Sequence, residues 1–281
     1  MQTSRRREKG RKRDVGRVAR IGGQMSARLF GGAGRMLARF VGDAGRLAMF
    51  VGDAVARLFS RPVRMLEIVA QLDFIGARSL GVVALSAIFT GLVLTLQGYS
   101  VLVRFGSENL VGSLVALSLT RELAPVLTAL MVTARAGSAT AATIGNMAVT
   151  EQVDALRSLA INPMNYLVAP RLVASIVSLP VLTALFSLAG IAAALVFGVS
   201  VLGLDGLAFM ANVRSSVNSN DVSVGLWKAV VFGALIAAIA TFRGYEARGG
   251  AQGVGRATSR TVVETAVLIL SGDYVMTALL F

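Results

Sequence analysis

Two stretches of this chain, 79–103 and 172–204, contain no Asp, Glu, Lys or Arg, and a third, 123–150, contains only Arg135. Each exceeds the roughly 20 residues that an α-helix needs to cross a bilayer. Two shorter apolar segments follow, at 226–243, where Lys228 and Arg243 bound the charge-free part, and at 261–281, which carries Glu264 and Asp273. With 55% hydrophobic residues and 15% charged, the pattern predicts an all-α polytopic membrane protein with five transmembrane helices.

The arginines predict its orientation. Residues 1–78 hold 17 Lys+Arg against 6 Asp+Glu, so nearly all of the +13 net charge precedes the first span. Basic flanks stay on the cytoplasmic side. Counting spans onward puts 151–171 and 243–260 inside as well. The segment 205–228, where Arg214 and Lys228 balance Asp205 and Asp221, falls outside with the C-terminus.

Several chemistries are excluded by what the chain lacks. It has no Cys and no His, which removes disulfides, thiolate and imidazole metal sites, and Ser-His or Cys-His nucleophile pairs. Its three lysines are Lys9, Lys12 and Lys228, and none closes a GxxxxGK[ST] phosphate cradle. Any nucleotide energy must then come from another polypeptide, and no cofactor and no nucleic acid partner is expected.

Residues 1–61 form a basic extension. Arg5, Arg6, Arg7, Lys9, Arg11, Lys12 and Arg13 open it; Arg35, Arg39, Arg46, Arg57 and Arg61 follow at roughly helical spacing beside Met36, Phe40, Leu47, Val51 and Leu58. This suits an amphipathic segment on an anionic membrane surface. The first 20 residues read equally as a solvated tail, and the repeated glycines argue against one continuous helix. No short apolar region follows Arg5-Arg6, as a twin-arginine signal would require.

Pro62 can open a helix over 62–78 that places Met65, Ile68, Val69 and Leu72 on one face and Arg64, Glu67, Gln71 and Arg78 opposite, an interfacial helix leading into the first span. In the second span, Gly137, Ala141 and Gly145 recur at every fourth residue and leave a flat face for another helix. Arg135, Glu264 and Asp273 each cost a few kcal/mol in a membrane unless they pair or face a polar cavity, so structural pairing is expected for them.

The strings LVLTLQGY (92–99), LVALSLTRELAPVLTALMVTARAGSATAATIGNMAVTEQVDAL (114–156), NPMNYLVAPRLVASIVSLPVLT (162–183) and GRATSRTVVETAVLILSGDYVMTALLF (255–281) resemble the MlaE/YrbE permeases of MCE-type lipid transport systems. The likeness covers about 62–281. It implies an ABC permease domain in the bacterial inner membrane that moves phospholipid between inner and outer membranes. It also implies a permease homodimer with cytoplasmic ABC ATPase subunits and a periplasmic ring of MCE-domain protein.

The resemblance makes residues 149–161 a coupling helix that docks on the ATPase, with Glu151, Asp154 and Arg157 on the exposed side and Val149, Val153 and Leu156 turned inward. Gln152 stands where family members often carry Glu. A solvated loop helix is the plainer reading of the same charges.

The family's lipid pocket lies between two protomers, lined by the first, second and fifth spans. Carried over by motif, Leu92, Leu96 and Tyr99 would meet acyl chains, and Arg121 and Glu122 would sit where the second span begins, with Arg121 suited to a phosphate. Arg121 and Glu122 also fit helix-end anchors, and Tyr99 an aromatic belt. Other apolar cargo, such as a sterol or organic solvent, fits the same architecture, as does a scaffold that only anchors an MCE ring. Intramembrane proteolysis does not, since Asp273 has no second intramembrane Asp.

Overall fold

Residues 42, 45–53 and 65–280 are described by the structure, a computed structural model. The chain divides into two units, Met1–Phe50 and Val51–Phe281. In the first, residues 45–50 are helical; the rest of the basic extension expected over 1–61 lies outside the described residues, apart from Gly42 and 51–53. All further description concerns 65–280.

Every regular element among the described residues is helical. α1 (Met65–Ile75) and α2 (Leu80–Leu102) come first, followed by α3 (Val111–Ser118), α4 (Ala124–Val132) and α5 (Ser138–Val149). Then come α6 (Gln152–Ser158), α7 (Ala169–Ser200), α8 (Gly206–Ser216), α9 (Ser219–Tyr245) and α10 (Gly250–Leu280). Five helical runs are long and apolar enough to cross a membrane: Met65–Phe105, Glu108–Val149, Met164–Ser200, Ser219–Tyr245 and Gly250–Leu280. The chain is a multi-pass helical membrane protein.

The second run is where the helix departs most from the charge-free window. It starts near Glu108 rather than at 123, and Arg121 and Glu122 lie well inside it. A charge-free window must stop at these two residues; the helix does not, because α9 and α10 supply partners for both. α3, α4 and α5 join through two π turns, Leu119–Leu123 and Thr133–Gly137. The first precedes Pro125, which has no N–H for the Arg121 carbonyl four residues back. That carbonyl instead accepts from Lys228 Nζ at 3.2 Å.

The α-helix is interrupted between α1 and α2 at Gly76, whose N–H donates to Leu72 O at 2.8 Å. A Cβ there would lie 2.7 Å from that same carbonyl and 3.0 Å from Ser178 Oγ. On α1, Met65, Leu66 and Val69 are exposed, Glu67, Ile68, Gln71 and Leu72 are half-buried, and Ile75 is buried. In a lipid solvent the apolar face belongs outside and polar side chains turn inward.

Without a hydrophobic drive between spans, close approach of small residues holds the bundle. α2 buries Val83, Ala87, Gly91, Thr95 and Gly98, one every three or four residues. Gly91 packs on the Gly190 backbone of α7, where any Cβ would collide. Gly233 of α9 meets Ser175 O of α7, and Gly244 meets Ala141 O of α5, at 2.6 and 2.9 Å from where a Cβ would stand. The small-residue face of Gly137, Ala141 and Gly145 accepts α9, α10 and the turn between them through Ile236, Gly244, Ala247 and Val254.

Candidate functional site

Arg121 and Glu122 occupy the first π turn of the second run and both point at the last two spans. Arg121 Nε donates to Asp221 Oδ1 at 2.8 Å and Nη2 pairs with the same oxygen at 2.6 Å. Asp221 is held by α9 itself. It is the third residue of that helix and accepts from the Asn218 backbone N–H at 2.9 Å, while the Asn218 side chain accepts from the helix in return.

Glu122 meets a lysine that the sequence put at the edge of the fourth span. Lys228 lies instead within α9, with its side chain fully buried, and its Nζ pairs with Glu122 Oε2 at 2.6 Å and Asp273 Oδ1 at 2.9 Å. It also donates to Thr277 Oγ1 at 2.8 Å. Thr277 lies 3.2 Å from both Glu122 oxygens and donates to Asp273 O at 2.9 Å. At about 1.5 Å per residue, Lys228 sits about 13 Å into α9 and Asp273 about 10 Å from the described end of α10, so both lie within apolar lengths of helix.

These two clusters form one polar island with three carboxylates and two cations. Its base is buried in Asp221 and Lys228; its accessible part is Arg121 and Glu122, whose side chains are 38% and 37% exposed. An ion network in a low-dielectric interior is stable only when each charge has a close partner, and here each does. The arrangement can offer a fixed cation and a fixed carboxylate, side by side, in an apolar wall.

The apolar candidates sit on another helix. Leu96 is 52% exposed, and Leu92 and Tyr99 are half-buried, Tyr99 packing on the hydrophobic core. All three sit on α2, which packs on α7, whereas Arg121 and Glu122 bond to α9 and α10. Leu96 continues an exposed apolar strip through Leu85, Phe89 and Val93.

At the opposite end of the bundle, Glu151 opens α6 in a left-handed conformation, φ 60°, and Ala160 follows it at φ 57°. Glu151, Gln152, Asp154 and Arg157 are exposed, Val153 is buried, and Val149 and Leu156 are half-buried. Leu159, 71% exposed, adds an apolar tip. Arg157 is exposed yet tied back, with Nη1 to Asp154 at 2.8 Å and Nη2 to the Tyr245 hydroxyl at 2.6 Å.

Arg135 and Glu264 are paired away from the island. Arg135 Nη1 donates to Phe74 O at 2.9 Å and Ser79 Oγ at 2.8 Å, locking the α1–α2 junction to the second π turn. Glu264 accepts from Arg243 Nε at 2.6 Å. Sequence reasoning missed Lys228, Asp221 and Thr277 as site residues. A signal was present: Lys228 is the one lysine outside the basic tail, and Asp273 is an acid in another apolar segment.

Comparison with known proteins gives this geometry a family. A family model described as Permease MlaE matches residues 68–279. A probable ABC transporter permease protein of Rickettsia typhi is 41% identical over 248 residues, 88% of this chain and 96% of that protein. The intermembrane phospholipid transport system permease protein MlaE of Haemophilus influenzae is 43% identical over 215 residues, 76% of this chain and 82% of that one. The chloroplastic protein trigalactosyldiacylglycerol 1 of Arabidopsis thaliana is 35% identical over 244 residues, 87% of this chain and 70% of its own. With the match running through all five membrane-spanning runs, the chain belongs to the MlaE permease family.

Proposed function

We propose that this chain is the permease subunit of an ATP-driven transporter that moves phospholipid between inner and outer membranes. The observation that carries the reading is the polar island: Arg121 and Glu122 partly accessible, rooted in buried Asp221 and Lys228, in a wall that is otherwise apolar. A phospholipid presents the matching chemistry, a phosphate and often an amine beside two acyl chains. Arg121 would meet the phosphate and Glu122 an amine, while exposed Leu96, with Leu92 and Tyr99 behind it, would meet the acyl chains.

The remaining assignments follow from the same reading. Glu151, Gln152, Asp154 and Arg157 on α6 would face a cytoplasmic ABC ATPase, which hydrolyses the ATP. Leu96, on α2, and Arg121, bonded to α9, would line one cavity at a permease homodimer, and a periplasmic MCE-domain ring would receive the lipid. The N-terminus is then cytoplasmic, the C-terminus periplasmic and the membrane the bacterial inner membrane. The test is mass spectrometry of lipid that copurifies with the detergent-extracted complex. Phospholipid at a fixed ratio to the permease is expected; a sterol or other neutral apolar molecule in its place would transfer the architecture to that cargo.

A further inference from the structure

Helix α6 is fastened to α9 through a side chain at its far end. The Arg157 guanidinium donates to the Tyr245 hydroxyl at 2.6 Å and stands 5.7 Å from the Tyr245 ring centroid, so a charged hydrogen bond and a cation–π contact act on the same pair. Asp154, at 2.8 Å, holds the other arm of the guanidinium and sets its plane.

Tyr245 ends α9, and α9 is a stiff route from this end of the bundle to the polar island. It runs from Ser219 to Tyr245 without a proline or a π turn. The second run, which leads directly into α6, breaks at two π turns and is joined to α6 through the left-handed Glu151. A displacement of α6 would then travel along α9 from Tyr245 to Lys228, about 26 Å at about 1.5 Å per residue. α10 follows α9 because they are pinned at both ends. Arg243 bridges Glu246 at 2.9 Å and Glu264 at 2.6 Å near Tyr245, and Lys228 holds Asp273 at the other end.

We infer that Tyr245 is a positioning residue, the joint through which movement of α6 reaches α9 and α10 and so opens or closes the island formed by Arg121, Glu122, Lys228 and Asp273. This rests on reading the chain as an ATP-driven lipid permease. Arg157, exposed on the motor-facing side of α6, then also serves as an internal strut.

The test uses the permease assembled with its ATPase in vesicles of phosphatidylethanolamine and phosphatidylglycerol carrying a fluorescent phosphatidylethanolamine, with ATP hydrolysis and lipid transfer measured together. Tyr245→Ala is expected to keep the copurified ATPase and its hydrolysis while transfer per ATP falls by more than about tenfold, the scale of the charged hydrogen bond that is lost together with the ring contact. Tyr245→Phe, which keeps the ring, is expected to fall less. A merely structural role would lower yield, hydrolysis and transfer together and leave their ratio intact, and that result overturns the joint. Should Tyr245→Ala fail to assemble, Tyr245→Phe decides, and an unchanged ratio there overturns it equally. A wild-type complex that hydrolyses ATP without moving lipid would reject the permease reading instead.

Discussion

Lys228 Nζ lies 2.6 Å from Glu122 Oε2 and 2.9 Å from Asp273 Oδ1, joining residues from three separate spans in one buried contact. An ammonium with no solvent exposure depends wholly on such partners. The contact orders three helices at a common depth and sets the orientation of the more exposed of its two carboxylates, Glu122.

Removing the lysine alone leaves two carboxylates facing each other. Lys228→Met is expected to cost about 3–5 kcal/mol and lower the unfolding temperature in detergent. The triple variant Lys228→Met with Glu122→Gln and Asp273→Asn should regain most of that loss, because no buried charge remains unpaired. A triple variant as unstable as the single one would show that shape rather than charge balance holds the three spans.

The head-group and acyl-chain contributions separate by substitution. Arg121→Ala should weaken binding of an anionic phospholipid by about 1.5–3 kcal/mol while sparing a neutral apolar ligand. Leu96→Asp should lower both, since a carboxylate against acyl chains has no compensating partner. Copurified lipid, quantified by mass spectrometry, checks this. Full phospholipid in Arg121→Ala would return Arg121 to a purely structural partner of Asp221.

Gly91 and Gly81 lie on the same helix in opposite surroundings. A Cβ at Gly91 collides with the Gly190 backbone, whereas one at Gly81 meets nothing within 4 Å. Gly91→Ala is expected to destabilise by about 1–3 kcal/mol and Gly81→Ala to be neutral or to stabilise by up to about 1 kcal/mol. Thermal unfolding of both variants measures it; equal effects would mean that α2 and α7 separate easily at this crossing.

The orientation can be read by labelling, since the chain has no cysteine of its own. Single cysteines at the exposed positions Ser158 and Gln252 should resist an impermeant maleimide in intact cells, and one at exposed Ser215 should react. Labelling at Ser158 in intact cells would invert the assignment of sides.

The helical class and the number of spans were legible in the sequence because lipid imposes a length of apolar residues that no tertiary contact can alter. The packing face at Gly137, Ala141 and Gly145 was legible for a related reason: helices in a membrane approach closely only where side chains are small. Arg121 and Glu122 were also picked out, although the helix that holds them begins earlier, near Glu108. A one-dimensional pattern treats a charge as the end of a span, and whether a charge may lie inside one is settled by what another helix brings to it. Asp221, Lys228 and Asp273 are separated from Arg121 and Glu122 by about 100 residues or more, and no local periodicity encodes their meeting. The joint between Arg157 and Tyr245, 88 residues apart, was hidden for the same reason. Composition decides which segments enter the membrane, while pairing across helices decides which charges may stay there and what they hold in place.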